Sequence, residues 1–413
     1  MYQDSNEKTS AGRLLVPSLI IVYFSLFIVD RISGVFLVDV TMTFFGSADP
    51  AFVAITSQLT TVSMVTAAVF GVLLGVLSIR FNHKKLLLMG TICISVGALG
   101  CSLAPDFISL QIFFIIEGIG STAVMAMAMT LVGELVALNK RPKTTGWILG
   151  GPSIGGVVGS LIINFFFGNP GSWRPFLMWW ALPISLISVA AAYFVVPSPP
   201  QKQVDTVEKS AYFRSFKQVF MIKSAAVCLI ANTVRGVSLM WGIYLIAFLM
   251  TKFGLSTGSG ALVGIGFTVI LGLGHFVGGY LVNRTGRKRL TVISLVIHGA
   301  ALPLIAFMPD LLGALTILYA GTFIGAFAMP AGLNLILEQA PESRGTMMSV
   351  NNVLTTLGAG IGTAIGGVAL TLFNYTGVFF TFGVLILISA AIFSMTKDPT
   401  TAMQPDSPKP ELA

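Results

Sequence analysis

Residues 71–85 read GVLLGVLSIRFNHKK, and residues 274–289 read GHFVGGYLVNRTGRKR. In both stretches, glycines and a leucine close an apolar run, and a cluster of basic residues follows. A shift of about 204 residues places Arg80 on Arg284 and also lays Glu134 on Glu338. The sequence therefore contains an internal repeat, and its two halves are predicted to fold alike.

The rest of the sequence is strongly apolar. Hydrophobic residues make up 55% of the 413 residues and charged residues only 10%, whereas charged residues make up about 25% of a soluble domain. A helix needs about 20 apolar residues to cross a bilayer, and the sequence contains twelve such segments. It predicts an all-α integral membrane protein with twelve transmembrane helices. These segments, named spans 1 to 12, are residues 13–45, 52–78, 86–105, 107–137, 144–168, 174–196, 223–252, 259–282, 290–309, 311–338, 345–373 and 376–396.

The longest polar stretch divides the spans into six and six. Residues 197–222 contain the prolines and charges that are typical of a linker. Two pseudo-symmetric six-helix bundles, 13–196 and 223–396, are therefore predicted, with tails at 1–12 and 397–413. Transporters that work by alternating access are built from repeated halves of this kind, with the substrate near the middle of the membrane.

The net charge of +8 follows the membrane topology. Lysines and arginines collect in alternate loops, and the opposite loops hold little beyond Arg174 and Lys252. The positive-inside rule predicts that both termini and the basic loops are cytoplasmic, so no nucleic-acid partner is inferred. Residues 1–13 lack the pattern of a signal peptide, and the compact loops are typical of a protein of the bacterial or archaeal cytoplasmic (inner) membrane. The basic loops carry Arg80, Lys84, Lys85, Lys140, Arg141, Lys143, Lys202, Lys209, Arg214, Lys217, Lys223, Arg284, Arg287, Lys288, Arg289 and Arg344.

The two quoted loops resemble the signature Gly-x-Leu-x-Asp-Arg-x-Gly-Arg-Lys of the major facilitator superfamily, and the resemblance covers essentially the whole chain. It implies the fold of that superfamily and a gating role for both loops. Both copies lack the acidic residue, where Ile79 and Asn283 stand, and this departure implies a weaker cytoplasmic latch. Basic residues are still expected to meet Glu134 and Glu338. The matching residues are Gly75, Leu77, Arg80 and Lys84 after span 2, and Gly279, Leu281, Arg284, Gly286, Arg287 and Lys288 after span 8.

Four charged residues fall well inside predicted spans: Asp30 and Arg31 in span 1, Glu117 in span 4 and Arg235 in span 7. A charge at the membrane centre costs roughly 2.5–3.5 kcal/mol on insertion scales, so each is a candidate functional residue. The repeat relates Arg31 to Arg235. Because a guanidinium binds carboxylate or phosphate through two parallel hydrogen bonds, the pair predicts an anionic substrate. It resembles the arginines of the superfamily's organic-anion exchangers, although structural pairing with Asp30 or Glu117 is the alternative.

Polar residues near these arginines extend the candidate substrate site. In span 7, polar residues recur at helical spacing and form a stripe. In span 11, two adjacent asparagines are candidate hydrogen-bonding groups. The candidate substrate contacts are Arg31, Asn232, Arg235, Ser238, Trp241, Asn351 and Asn352, and Gly242 extends the stripe.

Asp30 and Glu117 are the candidate proton-coupling residues. A carboxyl group near an arginine can exchange a proton when substrate occupies that arginine, and the alternative is a permanent counter-ion. Ser121 lies one turn after Glu117, on the same face. Asp39 lies nearer a helix end, where the superfamily's proton-driven drug exporters carry a proline. Span 4 also lacks the proton-handling arginine of those exporters, because Phe114 occupies its position.

Span 5 contains GWILGGPSIGGVVG at residues 146–159. It resembles the Gly-Pro-x-x-Gly-Gly signature of the superfamily's exporters, which implies a bend and close packing that favour export. Plain packing of small residues is the alternative. The candidate gating residues here are Gly151, Pro152, Gly155 and Gly156.

The sequence thus predicts a monomeric secondary transporter that exports an organic solute, anionic or zwitterionic, by using the proton gradient. Uptake by an organic-anion symporter or exchanger, a multidrug/proton antiporter, and a channel or membrane scaffold are the alternatives. The sequence contains no nucleotide-binding Gly-x-x-x-x-Gly-Lys-Ser/Thr motif, and no metal-ligand pattern or catalytic cluster is recognisable. An enzymatic activity, a metal site and a cofactor are therefore not expected.

Overall fold

The computed structural model describes residues 5–29, 33–136, 141–198, 220–340 and 344–398, and these residues contain helices and no strand. In the first half, the helices are Ser5–Val29 and Leu37–Phe45 (span 1), Pro50–Arg80 (span 2), His83–Leu103 (span 3), Phe107–Leu135 (span 4), Arg141–Phe166 (span 5) and Trp173–Phe194 (span 6, with a π-helical turn at Leu177–Ala181). In the second half they are Lys223–Ser238 and Trp241–Phe253 (span 7), Thr257–Thr285 (span 8), Arg287–Phe307 (span 9), Leu311–Ala326 and Ala328–Gln339 (span 10) and Arg344–Ser394 (spans 11 and 12).

Within the described ranges, nine helical stretches are long and apolar enough to cross a membrane. One of them, Met347–Ser394, contains both span 11 and span 12, and two shorter apolar helices, Leu14–Leu26 and Ile154–Phe166, belong to spans 1 and 5. A helix satisfies its own backbone hydrogen bonds, which lipid cannot do. The chain therefore has the all-α membrane fold with twelve spans that its sequence predicts.

Three spans that the sequence predicts as continuous consist of two helices each: spans 1, 7 and 10. In span 7, a turn at residues 239 and 240 separates Ser238 from Trp241. The predicted polar stripe of span 7 therefore does not continue to Gly242, because Gly242 lies on the second helix of the span. The boundary between spans 11 and 12 lies where predicted, at Asn374, whose φ of 57° is one that asparagine tolerates better than most residues.

The structure forms two compact units. The first consists of the described parts of Met1–Val204, Leu239–Val269 and Ala359–Phe379. It therefore contains spans 1 to 6 and segments of spans 7, 8, 11 and 12. Spans 3 and 4 lie close together in it, because a Cβ added at Gly97 would lie 2.7 Å from the Cβ of Glu117. Such glycines allow two helix backbones to approach each other.

The second unit consists of the described parts of Asp205–Ser238, Ile270–Gly358 and Phe380–Ala413. Span 9 packs against both helices of span 10. Span 8 also lies against span 10, since a Cβ added at Gly278 would lie 2.6 Å from the Cα of Phe327.

The short segment after span 12 holds three helix ends of this second unit together. The backbone N–H of Lys397 donates to Ser224 at the start of span 7, and its carbonyl accepts from Gln339 at the end of span 10, both at 2.9 Å. Asp398 Oδ2 accepts from the backbone N–H of Lys288 at 3.3 Å. The carboxylate of Asp398 therefore caps the start of span 9.

Candidate functional site

Arg235 is the centre of a buried polar network in the second unit. Its Nε donates a 2.7 Å hydrogen bond to Asn232 Oδ1, one turn earlier in span 7. The Nδ2 of Asn232 donates to Asn351 Oδ1 at 2.6 Å and to Thr355 Oγ1 at 3.1 Å, both in span 11. Arg235 is 8% exposed and Asn232 is 1% exposed. Neutral side chains therefore hold the guanidinium in place.

The remaining nitrogens of Arg235 are available to a ligand. A guanidinium has five N–H donors and no acceptor. Within the ranges that the structure describes, Nε makes the side-chain hydrogen bond to Asn232, and neither Nη atom has a protein partner. No carboxylate in those ranges lies within 4.0 Å of the guanidinium. Because a buried charge requires a partner, this geometry can accept an anion.

Small residues bring spans 7 and 11 close enough for this network. A Cβ added at Gly236 would lie 2.9 Å from the carbonyl oxygen of Thr355, and one added at Gly358 would lie 2.6 Å from the carbonyl oxygen of Thr233. The backbones therefore cross at the level of the asparagines. The sequence did not predict a role for Gly236 or Gly358, because a contact between two distant spans leaves no local sequence pattern.

The other predicted substrate contacts lie elsewhere. Ser238 is buried and donates to the carbonyl of Arg235 in its own helix. Trp241 is 2% exposed and packs edge-on against Phe267, in the first unit. Asn352 is exposed, and it lies outside the hydrogen-bonded group of Asn351. A substrate role for these three residues stays a prediction.

Arg31 and Asp30 lie outside the described residues. The predicted pairing of Arg31 with Arg235 across a substrate cavity therefore stays a prediction, as does proton transfer at Asp30.

Glu117 in span 4 is 5% exposed and lies against span 3. The hydroxyl of Ser121 donates a hydrogen bond to its Oε1, as the four-residue spacing predicts. Gly97 of span 3 leaves room for the glutamate against the neighbouring helix. The acid is therefore held inside the first unit, and its role in proton coupling stays a prediction.

Each half places a basic residue against the acid at a helix end. His83 Nδ1 lies 2.9 Å from Glu134 Oε1 in the first unit. In the second unit, Arg287 Nη1 lies 3.8 Å from Glu338 Oε1. The shift that relates the sequence halves also relates these pairs. In the second half the partner is Arg287 of the signature, whereas in the first half it is a histidine and not one of the predicted lysines or arginines. The sequence did not single out His83, although its repeat partner Arg287 belongs to the signature.

Four other signature residues, Gly75, Arg80, Gly279 and Arg284, are not shown to contact these acids. Arg284 is exposed, and it lies over the ring of Tyr280 at 4.8 Å and donates to its hydroxyl. Arg80 ends the span 2 helix, and the structure does not describe its side chain. A Cβ added at Gly75 or Gly279 would have open space around it. A gating role for these four residues stays a prediction.

In span 5, Gly155 and Gly156 are buried, and a Cβ added at Gly155 would lie 3.1 Å from the carbonyl oxygen of Phe24 in span 1. Spans 1 and 5 therefore pack closely at this point. Gly151 and Pro152 lie in the same helix, and the structure does not describe what surrounds them. Export favoured by this motif stays a prediction.

A second polar network, at the helix ends opposite the basic loops, was not predicted. The hydroxyls of Ser57 in span 2 and Tyr244 in span 7 lie 2.9 Å apart, and Tyr244 donates at 2.8 Å to the carbonyl of Thr363 in span 11. All three residues are fully buried. They belong to the first unit and join segments from both halves of the sequence. Single hydroxyls in apolar runs gave no signal that could have identified this contact.

Comparison with known proteins supports this architecture. The sequence model of the Major Facilitator Superfamily matches residues 19–243 and 228–412. The cis,cis-muconate transport protein of Acinetobacter baylyi is 24% identical over 320 residues, which are 73% of this chain and 75% of that protein. Multidrug resistance protein 2 of Bacillus subtilis is 25% identical over 302 residues, 70% of this chain and 73% of that protein.

The crystal structure of a D-xylose–proton symporter superposes with a TM-score of 0.78 over 94% of this chain and 98% of that one, at 16% sequence identity, and so shares its fold. The fold is thus the predicted all-α membrane fold. The division into six-helix bundles at 13–196 and 223–396 stays a prediction, because the two compact units divide the chain at other positions. Together with the family match, the fold identifies the protein as a membrane transporter and not an enzyme. The chain belongs to the Major Facilitator Superfamily.

Proposed function

We propose that the protein exports an organic anion or zwitterion in exchange for protons, by alternating access. The observation that carries this proposal is the buried guanidinium of Arg235, whose two Nη groups have no partner within the described residues. Arg31, related to Arg235 by the sequence repeat, is the proposed second contact to the anion.

The neutral surroundings of Arg235 favour a ligand with a carboxylate or phosphate. If an acid of the protein neutralised the guanidinium, an anionic ligand would have to displace that acid. Asn232 satisfies Nε and leaves the outer edge of the guanidinium for two parallel hydrogen bonds to one acidic group. Burial at 8% exposure strengthens such a pair, because little water competes for it.

One of the relatives supports this class of substrate. One relative is named for transport of cis,cis-muconate, an organic anion, and another for multidrug resistance. Export in exchange for protons is further supported by the acid Glu117 in span 4 and by the close packing at Gly155 in span 5. We further propose a monomer in the cytoplasmic membrane, without a cofactor and with both termini cytoplasmic, from the distribution of basic loops.

A multidrug/proton antiporter is the second candidate. The similarity to Multidrug resistance protein 2 favours it, and the buried Glu117 would then attract a cationic drug. In that case Arg235 would act as a counter-ion and would not contact substrate.

Thermal stabilisation by ligands separates the two candidates. A ligand at 100 times its dissociation constant adds about 2.7 kcal/mol to the stability of the protein that binds it. A panel of carboxylates, phosphates, zwitterions and lipophilic cations is measured with the wild type, Arg235→Ala and Arg235→Lys. Arg289→Ala, which removes an exposed arginine at the start of span 9, is the matched control.

The proposal expects an anion to stabilise the wild type and Arg289→Ala, to stabilise Arg235→Lys less, and to leave Arg235→Ala unchanged. Stabilisation by cations alone, retained in Arg235→Ala and lost in Glu117→Gln, would replace the proposal with the multidrug antiporter.

A further inference from the structure

A second buried acid lies at the helix ends opposite the basic loops. Asp39, in the second helix of span 1, is 4% exposed, and Thr257, the first residue of span 8, is 2% exposed. The Thr257 hydroxyl donates a 2.8 Å hydrogen bond to Asp39 Oδ2. Both residues belong to the first compact unit. The contact therefore links the two halves of the sequence at the same ends as the Ser57–Tyr244 contact.

No basic side chain in the described ranges lies within 4.0 Å of the Asp39 carboxylate. The second helix of span 1 packs on span 2, whose Thr56 bonds to Thr41, and on the second helix of span 7. Span 8 contributes Thr257. Among these elements, the group that bonds to the Asp39 carboxylate is the Thr257 hydroxyl.

The two cations at these ends are engaged elsewhere. Arg174, at the start of span 6, lies over the ring of Trp173 at 4.9 Å and donates to the carbonyl of Ala104. Lys252, at the end of span 7, lies over the ring of Phe253 at 5.3 Å. Asp39 is therefore a buried acid whose hydrogen-bond donor, the Thr257 hydroxyl, is neutral.

A carboxylate buried in this way has lost its hydration, and one hydroxyl donor together with the positive end of span 8 offsets only part of that loss. A bound proton removes the charge. Separation of Asp39 from Thr257 would instead admit water, which stabilises the ionised group. Protonation of Asp39 therefore favours the closed contact with Thr257, and closure of that contact favours protonation.

We propose that Asp39 is a proton-binding site that controls closure of the helix ends opposite the basic loops. A proton that reaches Asp39 from that side allows spans 1 and 8 to close over the carboxyl group, and its release accompanies opening. The inference rests on the proposed alternating access, and it adds a site distinct from the candidate proton-coupling residues Asp30 and Glu117.

Chemical labelling of a buried position at the same ends tests this site. The native cysteines Cys93, Cys101 and Cys228 are replaced by serine, and Ser57→Cys is introduced, since Ser57 is fully buried beside Tyr244. The rate of reaction with a membrane-impermeant maleimide is measured from about pH 5 to about pH 8, where carboxyl and imidazole groups of proteins change charge. The same measurement on Asn169→Cys, in the exposed loop between spans 5 and 6, corrects for the titration of the thiol itself.

With Asp39 intact, the corrected rate should rise with pH, by up to about tenfold per pH unit where one proton is linked to opening. In Asp39→Asn it should stay low at every pH. Thr257→Val keeps the acid and should keep the pH dependence. Asp39→Ser, also neutral, replaces Asp39→Asn if that variant does not fold.

An Asp39→Asn protein with the pH profile of the wild type would overturn the proposal. Fast labelling of Asp39→Asn at every pH would also overturn it, because the ionised carboxylate would then be the form that holds the ends closed. No transported solute is present in this assay, so its outcome is independent of whether Arg235 binds an anion.

Discussion

The guanidinium of Arg235 is oriented by an amide and not by an acid. Asn232 accepts from Arg235 and donates to Asn351 and Thr355, so its side-chain oxygen and nitrogen are both used. Such an arrangement fixes the arginine without neutralising it. The charge remains available for a ligand, which is the property that a site for organic anions requires.

Replacement of Asn232 by leucine should therefore weaken both the fold and the site. The Nε of Arg235 would lose its acceptor, which costs about 1–3 kcal/mol for a buried group. Thr355→Val removes the 3.1 Å acceptor of Asn232 and the bond of the Thr355 hydroxyl to the carbonyl of Asn351 in its own helix, but it leaves the bond from Arg235 to Asn232. It should therefore cost less than Asn232→Leu, about 1 kcal/mol. Thermal unfolding with and without the stabilising anion measures both effects. Equal stability of Asn232→Leu and the wild type would contradict this role of the amide.

Glu117 allows a separate test of proton coupling. Glu117→Gln keeps the shape of the side chain and an oxygen for the hydrogen bond from Ser121, but it cannot release a proton. We expect this variant still to bind the anion. Inside-out vesicles that contain it should not accumulate the anion when their lumen is acidic. Exchange without a gradient should persist, which shows that the variant is folded. If gradient-driven accumulation persists as well, Glu117 is not the coupling residue.

Close contact between helices depends on particular glycines that the hydropathy of a span does not identify. Gly97→Ala should destabilise the protein by about 1–3 kcal/mol, as overpacking does, because its Cβ would lie 2.7 Å from that of Glu117. Gly272→Ala is the matched control, since a Cβ at Gly272 would meet nothing within 4 Å. Thermal unfolding should place the control at or above the wild type, because alanine favours helix. Equal losses in both variants would contradict the packing of spans 3 and 4.

The start of span 9 needs a cap from outside its own sequence. Gly286 has a φ of 83° and a ψ of 146°, a conformation that side chains rarely adopt. Asp398 supplies the acceptor to Lys288 instead. At the related position of the first half, Asn82 has ordinary angles and its own side chain accepts from the N–H of Lys84 at 2.9 Å. The two halves thus satisfy equivalent N–H groups by different means.

Asp398→Ala should therefore cost about 0.5–2 kcal/mol, the usual loss for a helix cap, and should increase hydrogen exchange at the first amides of span 9. The control Asp310→Ala removes the cap that accepts from the N–H of Gly313 in span 10 at 2.6 Å. It should expose span 10 and leave span 9 protected. Unchanged exchange at Lys288 in Asp398→Ala would contradict the cap.

The sequence predicts the number and approximate limits of the spans because lipid imposes a length and an apolar composition on each of them. It also identifies the acids Glu134 and Glu338 through the repeat. The breaks within spans 1, 7 and 10 escape prediction, since hydropathy hardly changes across them. Partners such as Asp39 and Thr257 escape as well, because they lie 218 residues apart and no local pattern connects them.

Asn351 and Asn352 show the same limit within one helix. Adjacent residues point about 100° apart, so only one of them can face span 7. Asn351 is buried in the network of Arg235, whereas Asn352 is exposed. Composition identifies both as candidates, and only the packing of the helices separates them.

The protein as a whole is expected to act as a carrier for an anion that Arg235 binds. The most direct measurement is counterflow in proteoliposomes, with the anion found by thermal stabilisation as the labelled solute. The wild type and Arg289→Ala should exchange external labelled anion for internal unlabelled anion without any ion gradient, and Arg235→Ala should lose this exchange. Full exchange by Arg235→Ala would contradict the account, because the buried guanidinium would then have no part in binding the transported solute.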